Sequence, residues 1–409
     1  MKMNEVLLAK EQVSINALKV LSRLREHSYQ AYLVGGSVRD ILLNQTPKDF
    51  DVATNAHPED VHELFRNSRM IGRRFKIVHV HFGRDIIEVA TFRASKNIEE
   101  TDQTERGLLL SDNDYGSFEE DVFRRDFTIN ALYYSPDTHK VTDLVDGQAD
   151  IEAKIIRLIG EPESRYREDP VRMLRAIRFK TKLGFSIDPN SEQPMFKLGY
   201  LLQDISPARL FEELLKLFMS GQANAVFDEL LAYDIFGWLF PDTKRAMNQY
   251  PAKNLIREAL LSTDRRIEQD LPVTPAFVYA ALLWYPFVDE KRRLEQEGTS
   301  HPDASNEAAA NVIAKQLLFT SIPRRFSTPM REIWNLQFRL PNRKKAKALV
   351  GHKRFRAAYD FLLLRELAGE KLDNLGAWWT KYQEENPTER QPTKPRRRRR
   401  PRRTQEKPS

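Results

Sequence analysis

Residues 31–51 constrain the fold of this chain more than any other stretch. Ala31–Val34 is a short apolar run of strand character, Gly35-Gly36 interrupts it, and residues 37–43 (SVRDILL) carry helical spacing. A strand, a glycine turn and a helix N-terminus in that order make a cradle for phosphate. Glycine lets the backbone approach a ligand closely, and the first helical turn offers free N–H groups and the positive end of the dipole. Arg39 falls on that turn, where a guanidinium fork adds charge to the same oxygens. Lys48 follows, then Asp49-Phe50-Asp51-Val52. Read as a strand, the last four residues put Asp49 and Asp51 on one face and Phe50 and Val52 on the other. Two neighbouring carboxylates repel unless a cation lies between them. Hard oxygens at this spacing suit Mg2+, which binds through one or two carboxylates together with substrate phosphates. Either half has a bland explanation alone, as a common turn or a solvated strand end. Together they point to metal-assisted nucleotidyl transfer.

GGSVRD followed by DFD resembles the nucleotidyltransferases of the DNA polymerase β superfamily, in the branch holding bacterial poly(A) polymerases and tRNA CCA-adding enzymes. Residues 119–132 (EEDVFRRDFTINAL) add to the match. By themselves they read as a helix with acids at its positive end, followed by a turn, but RRDFTIN is nearly word for word a signature of that family. The resemblance implies that Arg125 contacts nucleotide and that Asp126 joins Asp49 and Asp51 in the catalytic carboxylate set. Glu88 is a rival for the third place. It sits inside the apolar segment IIEVATF, where a charge is costly unless paired or metal-bound, and that strand would lie next to DFD.

The helix expected over residues 168–182 (EDPVRMLRAIRFKTK) is the third informative segment. Asp169 suits an N-cap with Pro170 at the first helical position. Arg172, Arg175 and Arg178 recur every three residues and so stay near one side, which in isolation describes a basic solvated face. The family pattern E-D-x-x-R, with two further arginines, matches each position. The resemblance implies that Asp169 and Arg172 act as a protein template for the incoming base, with Arg175 and Arg178 on nucleotide or phosphate. A carboxylate accepting from an exocyclic amine beside a guanidinium donating to a ring nitrogen accepts adenine or cytosine and rejects guanine and uracil. Polarity thus selects ATP or CTP, and pocket size must choose between them.

Within the family, residues 72–83 (GRRFKIVHVHFG) resemble the poly(A) polymerase segment, where CCA-adding enzymes usually carry a different G-x-x-F-G type sequence. Residues 75–82 alternate as a strand with Ile77, His79 and His81 on one face, and a hairpin returns through residues 86–92. The two histidines have no third soft ligand nearby and read as packed or substrate-facing. Residues 94–117 are polar, a loop long enough to suggest function.

The net charge of +7 belongs to one end. Residues 388–409 hold ten Lys/Arg against two Asp/Glu, leaving 55 basic against 56 acidic elsewhere. Residues 383–409, which include KPRRRRRPRR at 394–403, cannot bury a core and are expected to be a disordered basic tail with Arg396, Arg397, Arg398, Arg399 and Arg400 on RNA. Residues 342–356 carry Arg343, Lys344, Lys345, Lys347, Lys353, Arg354 and Arg356 without an acid, so they form either an RNA-backbone patch or a solvated face. Cysteine is absent, which removes disulfides and zinc-thiolate sites. The first residues lack a secretory pattern, and the most apolar window, residues 275–285, is too short to span a bilayer.

The expected fold class is α+β: a small polymerase-β-like head of mixed sheet and helices, an all-α body and a disordered tail. The expected divisions are a nucleotidyltransferase head at 1–160, a helical base-binding neck at 161–225, a helical RNA-binding body at 226–382 and the tail at 383–409. The resulting reading is template-independent addition of AMP from ATP to RNA 3′ ends. Asp49 and Asp51 would hold two Mg2+ ions, and Gly35, Gly36 and Arg39 would hold the triphosphate. The alternatives are a tRNA CCA-adding enzyme and a non-catalytic RNA-binding protein on the same scaffold. A cytoplasmic location is expected. Protein partners, such as RNA-decay factors, leave no mark in the sequence.

Overall fold

A computed structural model describes residues 8, 10–72, 76–94 and 115–387. A seven-stranded sheet organises the N-terminal part. Its strands are β1 (Ala31–Val34), β2 (Asp51–Thr54), β3 (Ser68–Ile71), β4 (Ile77–Phe82), β5 (Asp85–Thr91), β6 (Leu132–Tyr134) and β7 (Val141–Asp143), in the order β3-β4-β5-β2-β1-β6-β7. β2 and β5 run parallel, and every other neighbouring pair is antiparallel. Alternation sorts the side chains. Ala31, Leu33, Val52, Val78, Val80, Ile87 and Val89 enter the main apolar core, while Val34, Ala53, Phe92 and Tyr133 build a second cluster. Tyr32 and Phe118 pack on that second cluster, their rings 5.0 Å apart. Asp51 alternates onto this second face.

α1 (Ile15–Glu26) packs its buried Ala17, Val20, Leu21 and Leu24 into the main core. It begins later than hydrophobic spacing suggests because the Ser14 side chain accepts from the backbone N–H groups of Asn16 and Ala17. α2 (Gly36–Leu42) follows the glycine turn, and α3 (Pro58–Leu64), α4 (Phe118–Phe123) and α5 (Gly147–Ala153) complete this part. Gly147 lies so close under Thr128 that a Cβ there would fall 2.2 Å from the Thr128 carbonyl oxygen. β3, β6 and β7 were not expected; SRMI and VTD show no clean alternation, and pairing with neighbours makes them strands.

Two short strands, β8 (Ile155–Ile156) and β9 (Ser186–Ile187), pair in parallel across α6 (Pro162–Glu168) and α7 (Val171–Leu183). The end of the sheet region is thereby hydrogen-bonded to the chain beyond α7. Everything from Pro207–Phe218 to Leu375–Glu385 is helical or connects helices. Trp284, Trp334 and Trp379 are fully buried in this part. No helix among the described residues is long and apolar enough to cross a membrane.

Candidate active site

Gly35 has φ +72° and ψ −131°, a conformation that only glycine adopts cheaply, and it turns the chain from β1 into α2. β1 ends at Val34, whose register partner on β2 is Asp51. The glycine turn and the acid are therefore neighbours by strand pairing, not by sequence. Asp51 in turn pairs with Glu88 on β5, Glu88 with His79 on β4, and His79 with Arg69 on β3. These residues form one row across the sheet, on one face. His79 Nε2 lies 3.3 Å from Glu88 Oε1.

Asp49 departs from expectation. It precedes β2, which starts at Asp51, so the two aspartates do not share a paired strand, although both are exposed. The connection out of α2 ends only at Asp51, where pairing with Val34 begins. Asp49 is still close enough to act on its neighbour. The Asp51 carboxyl is pushed up to about 6 by desolvation first and by the Glu88 charge next; Arg125 pulls it down, and Asp49 adds to the rise. This is an acidic group short of positive charge, with solvent reaching one side of it. Among the described residues no cluster of three or more His, Asp or Glu is already closed around a metal position. The donors fit Mg2+ in the way that suits a substrate-completed site: hard oxygens, few protein ligands, and an unrelieved repulsion between them.

Asp126 is placed differently from the expectation that it joins those acids. It is 7% exposed; its Oδ2 lies 2.8 Å from Arg175 Nη2, and its Oδ1 accepts from the Phe127 backbone at 2.8 Å and from Asn130 Nδ2 at 3.3 Å. Burial alone would raise its pKa, but Arg175, the Phe127 N–H and Asn130 hold it below the ordinary value. It is ion-paired with Arg175, yet its buried Oδ2 has no hydrogen-bond partner among the described residues.

Arg39, expected on phosphate, is buried among partners of its own. It is 3% exposed and donates to Asp40 Oδ1 from Nε at 2.9 Å and Nη2 at 2.6 Å, and to Asn130 Oδ1 from Nη1 at 2.5 Å. Its guanidinium also stacks 5.2 Å from the Phe179 ring on α7. These contacts tie the start of α2 to α7. Two cations border the turn: Arg125 Nη1 lies 3.6 Å from where a Cβ on Gly35 would stand, and Arg39 Nη2 lies 3.5 Å from where one on Gly36 would stand. Tyr133 and Asp121 fix Arg125, with Nε donating to Tyr133 Oη at 2.5 Å and Nη2 to Asp121 Oδ2 at 3.0 Å.

α7 is anchored by buried Val171, Met173, Leu174, Ala176, Ile177 and Phe179, each large side chain contributing about 1.5–3 kcal/mol on burial. Arg172, Arg175 and Arg178 emerge half-buried on the remaining side. The Arg178 guanidinium is held below its usual range by burial and then by repulsion from Arg175, and Lys182 by burial, Arg39, Arg178 and Lys48 despite Asp40. Crowded cations here mirror crowded acids at Asp51. Arg165 joins them, pushed down to about 10 by burial and Arg172, while its Nη2 donates to the Arg124 and Arg125 carbonyls at 2.7 Å.

α7 starts at Val171, so Asp169 closes α6 instead of capping α7 in full; its Oδ1 still accepts from the Val171 N–H at 3.3 Å. Its Oδ2 lies 2.7 Å from Arg209 Nη2 on Pro207–Phe218. Arg172 Nη1 donates to Glu168 Oε2 at 2.8 Å and to the Arg165 carbonyl at 2.6 Å. Arg209 escaped the sequence reading because nothing local marks it. Asn130 closes RRDFTIN and Tyr133 lies three residues beyond it; the sequence reading assigned neither a role.

The basic segment divides. Lys353 and Arg354 pair with Glu332, and Arg356 pairs with Asp360, whereas Arg343, Lys344, Lys345 and Lys347 are exposed. Arg396, Arg397, Arg398, Arg399 and Arg400 lie outside the described residues, as do residues 73–75 and 95–114.

This sheet, with a glycine turn beside a carboxylate row and an arginine-lined helix across from it, is the head of a nucleotidyltransferase. The chain belongs to the poly(A) polymerase family. The Poly A polymerase head domain matches residues 31–157, the probable RNA and SrmB-binding site of polymerase A matches 184–247, and the polymerase A arginine-rich C-terminus matches 297–408. Poly(A) polymerase I of Escherichia coli O6:H1 is 46% identical over 97% of this chain and 90% of its own. The CCA-adding enzyme of Bacillus subtilis is 40% identical over 55% of this chain and 56% of its own. Among solved structures, the CCA-adding enzyme of Bacillus stearothermophilus in complex with CTP aligns with a TM-score of 0.58 at 26% identity, covering 90% of this chain and 80% of that one.

Proposed function

We infer that this chain adds AMP from ATP to RNA 3′ ends without a template. The observation that carries the reading is the span of the likeness: kinship to poly(A) polymerase I runs through 97% of the chain, while the CCA-adding relative is matched over 55%. Backbone N–H groups at Gly35 and Gly36 and the cations Arg125, Arg175 and Arg178 receive the triphosphate. Asp49, Asp51 and Glu88 hold the divalent metal, with Glu88 taking the third place because strand register sets it beside Asp51 and because Asp126 already serves Arg175. Two Mg2+ ions bound there would favour deprotonation of the attacking 3′-hydroxyl and stabilise the negative charge on the departing pyrophosphate. Asp169 and Arg172 read the base, held ready by Arg209 and Glu168 respectively. Arg343, Lys344, Lys345 and Lys347 grip the RNA backbone. The divisions at residues 160, 225 and 382 and a cytoplasmic location remain part of this reading.

The test is to incubate an unstructured RNA with each NTP separately and resolve products by length. ATP should extend it by many residues, CTP should serve poorly, and a tRNA ending in CC should not stop after one A. Addition of C, C and A followed by arrest, with oligo(A) ignored, would move the protein to the CCA-adding branch.

A further inference from the structure

The helix Leu375–Glu385 carries adjacent tryptophans with different surroundings. Trp379 is fully buried, and its indole N–H donates to the Leu340 carbonyl at 3.2 Å, which secures the helix. Trp378 is only half-buried. Tyr382, one helical turn on, stacks with it at 5.2 Å between centroids and 19° between planes. The Arg343 guanidinium lies 5.2 Å from the same indole centroid. Arg343 opens the run in which Lys344, Lys345 and Lys347 are exposed with no carboxylate partner among the described residues.

We propose that Trp378, Tyr382 and Arg343 form a base-stacking site for single-stranded RNA, remote in sequence from the nucleotide-binding elements. The proposal rests on the RNA-substrate reading above and adds a place where bases, not only phosphates, are held. Single strands are bound where a cationic track follows the backbone and aromatic or guanidinium planes take the bases. The stacked Trp378–Tyr382 pair supplies the planes, and the three lysines supply the track. Three other cations of this segment are ion-paired, Lys353 and Arg354 sharing Glu332 and Arg356 on Asp360, so the unpaired cations gather at the aromatic end. Stacking is indifferent to base identity in kind, since every base has a π face, which suits a protein whose RNA ends differ in sequence.

The experiment compares an oligo(A) of about 20 nucleotides with an abasic ribose-phosphate chain of equal length, binding each to the full-length protein at fixed salt. Trp378→Ala should weaken oligo(A) binding by about tenfold, leave binding of the abasic chain unchanged and leave the salt slope unchanged. Trp378→Phe, which keeps a ring and guards against a folding defect, should bind oligo(A) nearly as the parent does. Wild-type affinity in Trp378→Ala, or equal losses on both chains, would overturn the stacking site. AMP incorporation by the parent protein on the same oligo(A) is read separately. Its absence alongside intact stacking would sink the polymerase reading and leave this one standing.

Discussion

Asp169 Oδ2 and Arg209 Nη2 lie 2.7 Å apart although 40 residues separate them in the chain. The carboxylate assigned to the base is thus held by the helix Pro207–Phe218, and on the proposed function that helix would take part in nucleotide selection. Arg172 is held in the same way by Glu168.

Asp169→Ala should lose base selection before it loses chemistry, because the residue faces the base and not the reacting phosphorus. Discrimination between ATP and GTP should fall by about tenfold or more, in line with loss of one specific hydrogen-bonding pair. Arg209→Ala should give a smaller loss in the same direction, seen chiefly in KM. Steady-state kinetics with each NTP measure both, and unchanged discrimination in Asp169→Ala would show that the base is read elsewhere.

Asp51→Asn should lower AMP addition by at least about a hundredfold, as expected when several kcal/mol of charge stabilisation is lost. It should also change stability with a definite sign. An acid raised from 3.8 to about 6 binds its proton more tightly in the folded state, so its stabilising contribution is complete at low pH and disappears as pH rises through 6. The metal-free variant should therefore melt higher than the parent at about pH 7.5, with the difference closing below about pH 4. A lower melting temperature for the variant at neutral pH would contradict the crowded-acid picture.

Glu88→Gln and Asp126→Asn should separate cleanly. The first removes a charge beside Asp51 and should depress turnover with little thermal cost. The second leaves Arg175 without its partner and should cost about 1–3 kcal/mol of stability, reduced by the partial exposure of Arg175. Because the Asp126 pKa is held low in the fold, its contribution is present at neutral pH and is lost as pH falls through that lowered value. Circular-dichroism melts paired with single-turnover rates decide the matter; an inert but stable Asp126→Asn beside an active Glu88→Gln would reverse the assignment.

Deleting residues 394–409 should weaken RNA binding and flatten its salt dependence while sparing affinity for free ATP. Each phosphate contact with a single strand contributes about −0.7 to the slope of log K against log salt. Affinities measured across a salt series test this, and an identical slope would leave the arginine run without a role on RNA.

Much of the site was legible because its parts are local. β1, the Gly35 turn and α2 follow from a short apolar run broken by glycine, and the α7 arginines follow from a three-residue repeat opposite an apolar face. RRDFTIN singled out Arg125 and Asp126 through resemblance alone. Three-dimensional pairing decided the remainder. Strand register, not spacing, set Glu88 beside Asp51 and left Asp49 outside β2. Packing set Asp126 against Arg175 of α7, and it set Arg39 among Asp40, Asn130 and Phe179. Arg209 reached Asp169 from another helix altogether. The physical reason is one of range: backbone preference and side-chain periodicity act over a few residues, so sequence by itself determined which groups stand on which face of a strand or helix. Which charge meets which depends on how sheet and helices pack, because a carboxylate becomes a ligand or a counter-ion only when packing supplies or withholds its cation.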